Sequence, residues 1–353
     1  MTTSTLKNIG FTAENQVDLD AKQIIGRVSS QAQNLYRVLT ENGETYAKVS
    51  GKFAYQVTQL SEYPAVGDFV VLDAMTDNTD QAVIHKVLPR KSRLARESAG
   101  DSSEEQLIAT NIDKIFICMS LNEDYNLRRL ERYLAIAWNS GSMPYIILTK
   151  TDLCADLDDK LAEIAEVAIG VSVICTTNAA ENGYAEIEKH LESGKTSVFV
   201  GSSGVGKSTL INHFKTGGEI TTDRLRNDDK GRHTTTQRDL YVLPHYRGMV
   251  IDTPGMRELG IGAADISQVF EDIDDLANMC KFNDCTHTSE PKCAVKKAIK
   301  NGTLSEKRLD SYQKLQLESE YDGMNAKMIE QTKLNRMLGG KKSVQKMLKE
   351  HKY

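Results

Sequence analysis

The run GSSGVGKS at residues 201–208, between the apolar stretch SVFV and the periodic stretch TLINHF, limits most strongly what this chain can fold into. A strand, a glycine-rich turn and a helix in that order make a phosphate-binding loop. Gly201, Ser202, Ser203, Gly204, Val205 and Gly206 would wrap a β-phosphate with backbone N–H groups. The helix opened by Lys207, Ser208 and Thr209 turns its positive end to the same anion. Lys207 would neutralise β- and γ-oxygens, and Ser208 would offer its hydroxyl to Mg²⁺.

An acid completes such a site. The stretch VIDTPG at 250–255 is an apolar strand end carrying Asp252, which would hold Mg²⁺ directly or through water, while the Gly255 N–H would reach a γ-phosphate. Between the two motifs, GRHTTT at 231–236 offers three hydroxyls, of which Thr235 is the candidate to complete the Mg²⁺ shell. An ordinary polar approach to a hairpin is the alternative for that stretch.

Which nucleotide binds is read from LTKTDL. Thr149, Lys150, Thr151 and Asp152 follow the buried strand YIIL. Guanine presents N1–H and N2–H₂ on one edge, and one fixed carboxylate, Asp152, accepts from both; adenine leaves those bonds unmade. Lys150 would lay its stem over the base. Thr149 stands where the usual pattern has asparagine, keeping a hydroxyl but losing the amide that braces the neighbouring loop. A later strand end, Cys175, Thr176 and Thr177, would give a backbone N–H to the guanine oxygen.

The order of these motifs is unusual. The base-reading segment at 149 precedes the phosphate loop at 201 and the acid at 252, so the domain is circularly permuted. Termini of compact domains lie near one another, so the same sheet tolerates a cut elsewhere. The loop that answers to the γ-phosphate then leads directly toward the C-terminal segment.

Patterning around the motifs divides the chain. Residues 21–95 read as short strands, GRVSS, LYRVLT, ETYAKVS, FAYQVTQL, DFVVLDA and AVIHKVL, of the size and spacing of a small antiparallel barrel, an OB-fold. Residues 1–20 read as a flexible lead, and 90–105 as a polar linker. From 96 to 265 apolar strands alternate with amphipathic helices, the signature of an α/β domain with a mostly parallel sheet. In one such helix Leu127, Leu130, Leu134 and Ala137 share a face, and Arg128, Arg129, Glu131 and Arg132 fill the other. YVLPHY and GMVIDTPG form a hairpin pair, so the sheet is mixed.

Residues 266–353 read as a mostly helical unit organised by Cys280, Cys285, His287 and Cys293, three thiolates and an imidazole within 14 residues. Four such ligands suit one closed, structural, tetrahedral Zn²⁺ site. The other cysteines, Cys118, Cys154 and Cys175, sit in or beside strands and read as core. With six cysteines in 353 residues, thiols and a metal fit better than disulfides.

Charge and hydropathy exclude some classes. A net charge of −5 argues against nonspecific nucleic-acid binding by the whole chain, although residues 327–353 carry eight Lys or Arg against two Glu. That tail reads equally as a solvated helix end or as an RNA contact. No apolar run approaches the roughly 20 residues of a membrane helix, and residues 1–10 lack a secretory leader. A cytoplasmic protein with no membrane contact is expected.

Together TKTD, GSSGVGKST, GRHTTT, DTPG and CKFNDCTHTSEPKCAV, behind a barrel, make the chain resemble the ribosome small-subunit-dependent GTPase A family over nearly its whole length. The resemblance implies a GTP hydrolase that acts with the small ribosomal subunit and its rRNA in late maturation and times its own release by hydrolysis. A monomer is expected. Barrel residues Arg37, Lys48 and Lys52 are candidate rRNA contacts. Met256 follows DTPG where Ras-like proteins carry a water-orienting glutamine, so slow intrinsic turnover is expected, stimulated on the small subunit. His233 is the candidate for positioning water, with an rRNA contact as its alternative. A nucleotide-gated RNA-binding chaperone with little catalytic role is the competing reading.

Overall fold

The structure, a computed structural model, describes residues 6–12, 17–73, 81–97, 105–122, 124–180, 182–217, 238–253 and 266–320, together with 324, 328 and 332. Five strands make the N-terminal barrel: β1 (Gln23–Ala32), β2 (Leu35–Thr40), β3 (Gly43–Val49), β4 (Phe69–Asp73) and β5 (Ala82–Val87). Their order is β1-β2-β3-β5-β4, and β4 pairs back on β1, closing the sheet. Alternating side chains fill the interior, where Val28, Tyr36, Val38, Val70, Leu72 and Ile84 meet.

One sequence expectation fails in the barrel. FAYQVTQL, read as a strand from its alternation, begins as helix α1 (Gly51–Gln56) and continues into a 3₁₀ turn at Leu60–Glu62. The deciding residue precedes it: Ser50 accepts the Phe53 N–H at 3.0 Å, an N-cap that a short alternating run cannot outweigh. Residues 6–12 also differ from the lead expected there, because Ile9 is buried. Its carbonyl oxygen accepts from Arg27 at 2.6 Å. That guanidinium, fully buried over the Phe69 ring, also donates to Gly67 O at 3.0 Å and Asn111 O at 3.1 Å. It thereby ties the N-terminal segment, the barrel and the next domain together.

Within the expected linker, residues 93–97 form β6 (Arg93–Glu97), which pairs with β7 (Glu105–Thr110) as a separate antiparallel ribbon. Beyond it come β8 (Lys114–Ser120), α2 (Leu127–Asn139), β9 (Met143–Thr149), α3 (Leu157–Val167), β10 (Ser172–Cys175), α4 (Ala185–Glu188), β11 (Thr196–Val200), α5 (Lys207–Lys215), β12 (Asp239–Val242) and β13 (Met249–Asp252). The sheet order is β10-β9-β8-β11-β13-β12, parallel except for the β12–β13 hairpin. Both faces are covered. Ile115 and Ile117 of β8 meet Leu130 and Leu134 of α2, while Phe116 meets Phe199, Leu210 and Phe214 on the other side. A pairing of Ser30 with Asp239 joins β12 to β1, so barrel and domain share one eleven-stranded sheet.

After residue 265 the chain supplies α6 (Glu271–Asn278), α7 (Ala294–Lys300) and α8 (Glu306–Glu320). Phe270, Ile273, Val295 and Leu309 enter the same apolar cluster as α2. Glu131, read as a solvent-facing residue of α2, is buried at 2% exposure because Arg308 of α8 reaches it. No described helix is long and apolar enough to cross a membrane.

Candidate nucleotide site and metal centre

The carboxyl ends of β8, β9, β10, β11 and β13 open onto one rim, where open α/β sheets bind ligands. Gly201 leaves β11 at φ 141°, and a Cβ there would lie 2.3 Å from Cys118 O on β8. Only glycine fits. Val205 is fully buried and anchors the loop, and Gly206 at φ 101° caps α5. The Lys207 ammonium donates to Gly201 O at 2.7 Å and to Ser202 O, so it is held across the loop's first turn. Ser203, Gly204, Ser208 and Thr209 are exposed around it.

The segments expected to read the base are fastened to this loop. Thr149, buried at the end of β9, donates its hydroxyl to Val205 O at 2.7 Å, which supplies the brace that the missing asparagine put in question. Lys150 takes a left-handed conformation, φ 58°, and its ammonium reaches Gly204 O at 3.3 Å. Thr151 Oγ1 donates to Thr176 O at 3.1 Å, and the Thr177 hydroxyl donates to the Asp152 carboxylate. Gly183 closes the following turn, where a Cβ would fall 1.7 Å from Thr177 O. Cys175 is exposed rather than in the core, because β10 is the edge strand and ends there.

Asp252 ends β13 half-buried. Burial pushes its carboxyl above the ordinary range, against the opposing fields of Lys215 and Lys207, and the neighbouring Asp239 adds to the rise. A divalent cation with phosphates would offset that desolvation, which fits the carboxylate to Mg²⁺. His233, Thr235, Gly255, Met256 and the basic tail apart from Met328 and Thr332 lie outside the described residues.

In the C-terminal unit the ligand atoms of Cys280, Cys285, His287 and Cys293 lie within 4.8 Å of one another. Cys280 Sγ is 3.8 Å from Cys293 Sγ, and His287 Nδ1 is 3.7 Å and 3.4 Å from those two sulfurs. Zn–S bonds of about 2.3 Å and Zn–N bonds of about 2.0 Å at tetrahedral angles put sulfurs about 3.8 Å apart and sulfur to nitrogen about 3.5 Å. The donor set fits a tetrahedral ion. The first turn of α7 supplies N–H donors, Ala294 to Cys280 Sγ at 3.3 Å and Lys296 to Cys293 Sγ at 3.4 Å. Glu290 gathers the Thr286, Thr288 and Ser289 N–H groups and so fixes the turn around His287.

The RsgA GTPase family profile matches residues 87–262. A protein named small ribosomal subunit biogenesis GTPase RsgA 2, from Lactiplantibacillus plantarum, is 51% identical over 348 residues, 98% of each chain. This chain belongs to the RsgA GTPase family. An RsgA 1 protein from Listeria innocua is 42% identical over 352 residues, covering 98% of this chain and 97% of that one. Among solved structures, YloQ, described as a circularly permuted GTPase, superposes with a TM-score of 0.60 at 27% identity over 86% of this chain and 98% of its own. YjeQ from Thermotoga maritima gives 0.61 at 28% identity, over 83% and 97%.

Membership in the RsgA family bears out the permuted GTPase domain read from motif order, and the closed barrel and helical C-terminal unit stand where the RsgA resemblance implied them. What the motifs did not reveal is the loop after β8. There the Ser202 hydroxyl donates to the Asp124 carboxylate. The available signal was topological: β8 and β11 are neighbours, so their carboxyl-end loops must meet.

Proposed function

We propose that this chain binds the small ribosomal subunit and hydrolyses GTP to time both a late step of its maturation and its own release. The observation that carries the reading is the bonding of three loops into one rim: Asp152 is oriented by Thr177, and Thr149 is bonded to the phosphate loop. Guanine recognition and phosphate recognition therefore belong to one pocket. Relatives covering 98% of the chain carry the name small ribosomal subunit biogenesis GTPase, which supplies the partner.

In this reading Lys207 and the backbone from Gly201 to Gly206 hold the phosphates, with Thr209 on the first turn of the helix beside them. Ser208, Asp252 and Thr235 hold Mg²⁺, and the Gly255 N–H meets the γ-phosphate. Asp152 accepts from guanine, Lys150 covers the base, and the backbone of Cys175, Thr176 and Thr177 meets the guanine oxygen. His233 positions the attacking water once the subunit orders its segment. Cys280, Cys285, His287 and Cys293 hold one structural Zn²⁺, whose chemistry is to fold the unit that carries it. The protein works as a cytoplasmic monomer. Lys48 of the barrel is exposed, whereas Arg37 is paired with Asp239 at 2.9 Å, so Lys48 and Lys52 are the better candidates for rRNA phosphates.

The test is GTP hydrolysis by the purified chain with and without small subunits. A slow intrinsic rate raised by subunits is expected. Equal rates would remove the subunit-timed reading while leaving the GTP site in place.

A further inference from the structure

Helix α2 is fastened at two points, around its N-terminus and in its second turn, by polar contacts that the pocket alone does not require. At its N-terminal end the Ser202 hydroxyl of the phosphate loop donates to Asp124, and Asp124 Oδ1 accepts from Arg129 Nη2 at 2.9 Å. Asn122 Oδ1 accepts the Asp124 N–H at 3.1 Å and the Ser120 hydroxyl at 2.7 Å. Asn126 caps the helix through the Arg129 N–H at 3.0 Å. The first turn of α2 is thus tied to the second residue of the phosphate loop.

At the other grip, Glu131 accepts from Arg308 Nη1 at 2.6 Å and from the Ser311 hydroxyl. Arg308 is 6% exposed, lies 4.5 Å over the Phe270 ring, and also donates to Asp272 at 2.8 Å and Val269 O at 2.7 Å. From the same helix Gln313 donates to Thr286 O at 3.2 Å, beside the metal ligand His287. Arg132 adds a bond to Glu318 at 2.6 Å.

We infer that α2 is a relay between the phosphate loop and the C-terminal metal-binding unit, with Asp124 and Glu131 as its positioning residues. The ion pair at Glu131 is buried, so separating its partners leaves an uncompensated charge, and α2 and α8 move as one body. At the nucleotide end the γ-phosphate, which GTP carries and GDP lacks, competes for the Lys207 ammonium that now holds Gly201 O and Ser202 O. The loop then resets, and the Ser202–Asp124 bond carries that change into α2. This path runs through the phosphate loop itself, independently of the segment after Asp252. It rests on the reading of the chain as a GTPase whose C-terminal unit answers to nucleotide.

Hydrogen exchange of backbone amides in 306–320 of the full-length zinc-loaded protein, at saturating GDP and at saturating non-hydrolysable GTP analogue, tests it. In the parent protein the two nucleotides should give exchange rates in α8 differing by about tenfold. Ser202→Ala and Glu131→Gln should each abolish the difference, and Ser202→Thr, which keeps the hydroxyl, should retain it. Fluorescence titration confirms saturation for each variant. A difference that persists in Ser202→Ala overturns the relay and leaves the GTPase reading untouched. No difference in the parent protein also overturns the relay, while hydrolysis measured on the same sample judges the GTPase reading separately.

Discussion

The Thr149 hydroxyl donates to Val205 O at 2.7 Å, joining the end of β9 to the middle of the phosphate loop. Val205 is fully buried, so that carbonyl has little access to water once its donor is lost. A buried acceptor left unmade costs about 1–3 kcal/mol. Thr149→Val should therefore weaken GDP binding about tenfold, while Thr149→Ser retains it, as read by titration calorimetry.

In the proposed site Asp152 carries base choice. Hydrogen bonds to a charged acceptor contribute about 1.5–3 kcal/mol each, and guanine makes two. Asp152→Ala should weaken GTP binding by about a hundredfold or more and leave ATP binding, already poor, unchanged. Competition of a fluorescent guanine nucleotide by each triphosphate measures both.

Metal removal should act on one unit. The parent protein is expected to contain one zinc per chain by elemental analysis, with exposed Cys175 the readily titrated thiol. A strong chelator should release the ion and make Cys280, Cys285 and Cys293 reactive, with loss of helical circular dichroism from α6, α7 and α8. Cys293→Ser should carry substoichiometric zinc from the outset.

Acid stability has an identifiable contributor at the opposite end of the sheet. Burial pushes Asp113 upward, but Lys91 Nζ at 2.7 Å, the Thr196 N–H at 2.9 Å and Lys195 Nζ at 3.2 Å outweigh it and hold the carboxyl below its ordinary range. A depressed folded value means stability that is present above the unfolded value of about 3.9 and is lost as pH falls through the folded one. Asp113→Asn should lower the melting temperature at pH 7 by about 2–4 °C and flatten its decline on acidification below about pH 4. Melting curves across that window check it.

The phosphate loop, the base reader and the metal cluster were legible because each is a local spacing with its own chemistry. Residues 201–208 needed only their flanking strand and helix, and Cys280 to Cys293 only their number and proximity. Glu131 was misread because helical periodicity sorts residues by face and does not say what covers the face; Arg308 lies 177 positions away. FAYQVTQL was misread because a short alternating run is compatible with strand and helix, and Ser50 decides through one capping bond. Cys175 looked like core because a strand neighbour suggests burial, and only the sheet order makes β10 an edge. Thr149 shows the reverse case: a departure from the usual residue whose hydroxyl still bonds to the phosphate loop, at Val205 O.

The pairing of Ser30 with Asp239, and of Asp239 with Asp252, places the barrel's first strand two rungs from the acid at the nucleotide rim. Those rungs are hydrogen bonds running across the strands, and they resist shear better than a covalent tether that is free to pivot. The molecule is in this respect a plank with a curled end. In the proposed reading, whatever grips the curl also steadies the far edge of the pocket, so docking and hydrolysis share a frame before any segment has moved.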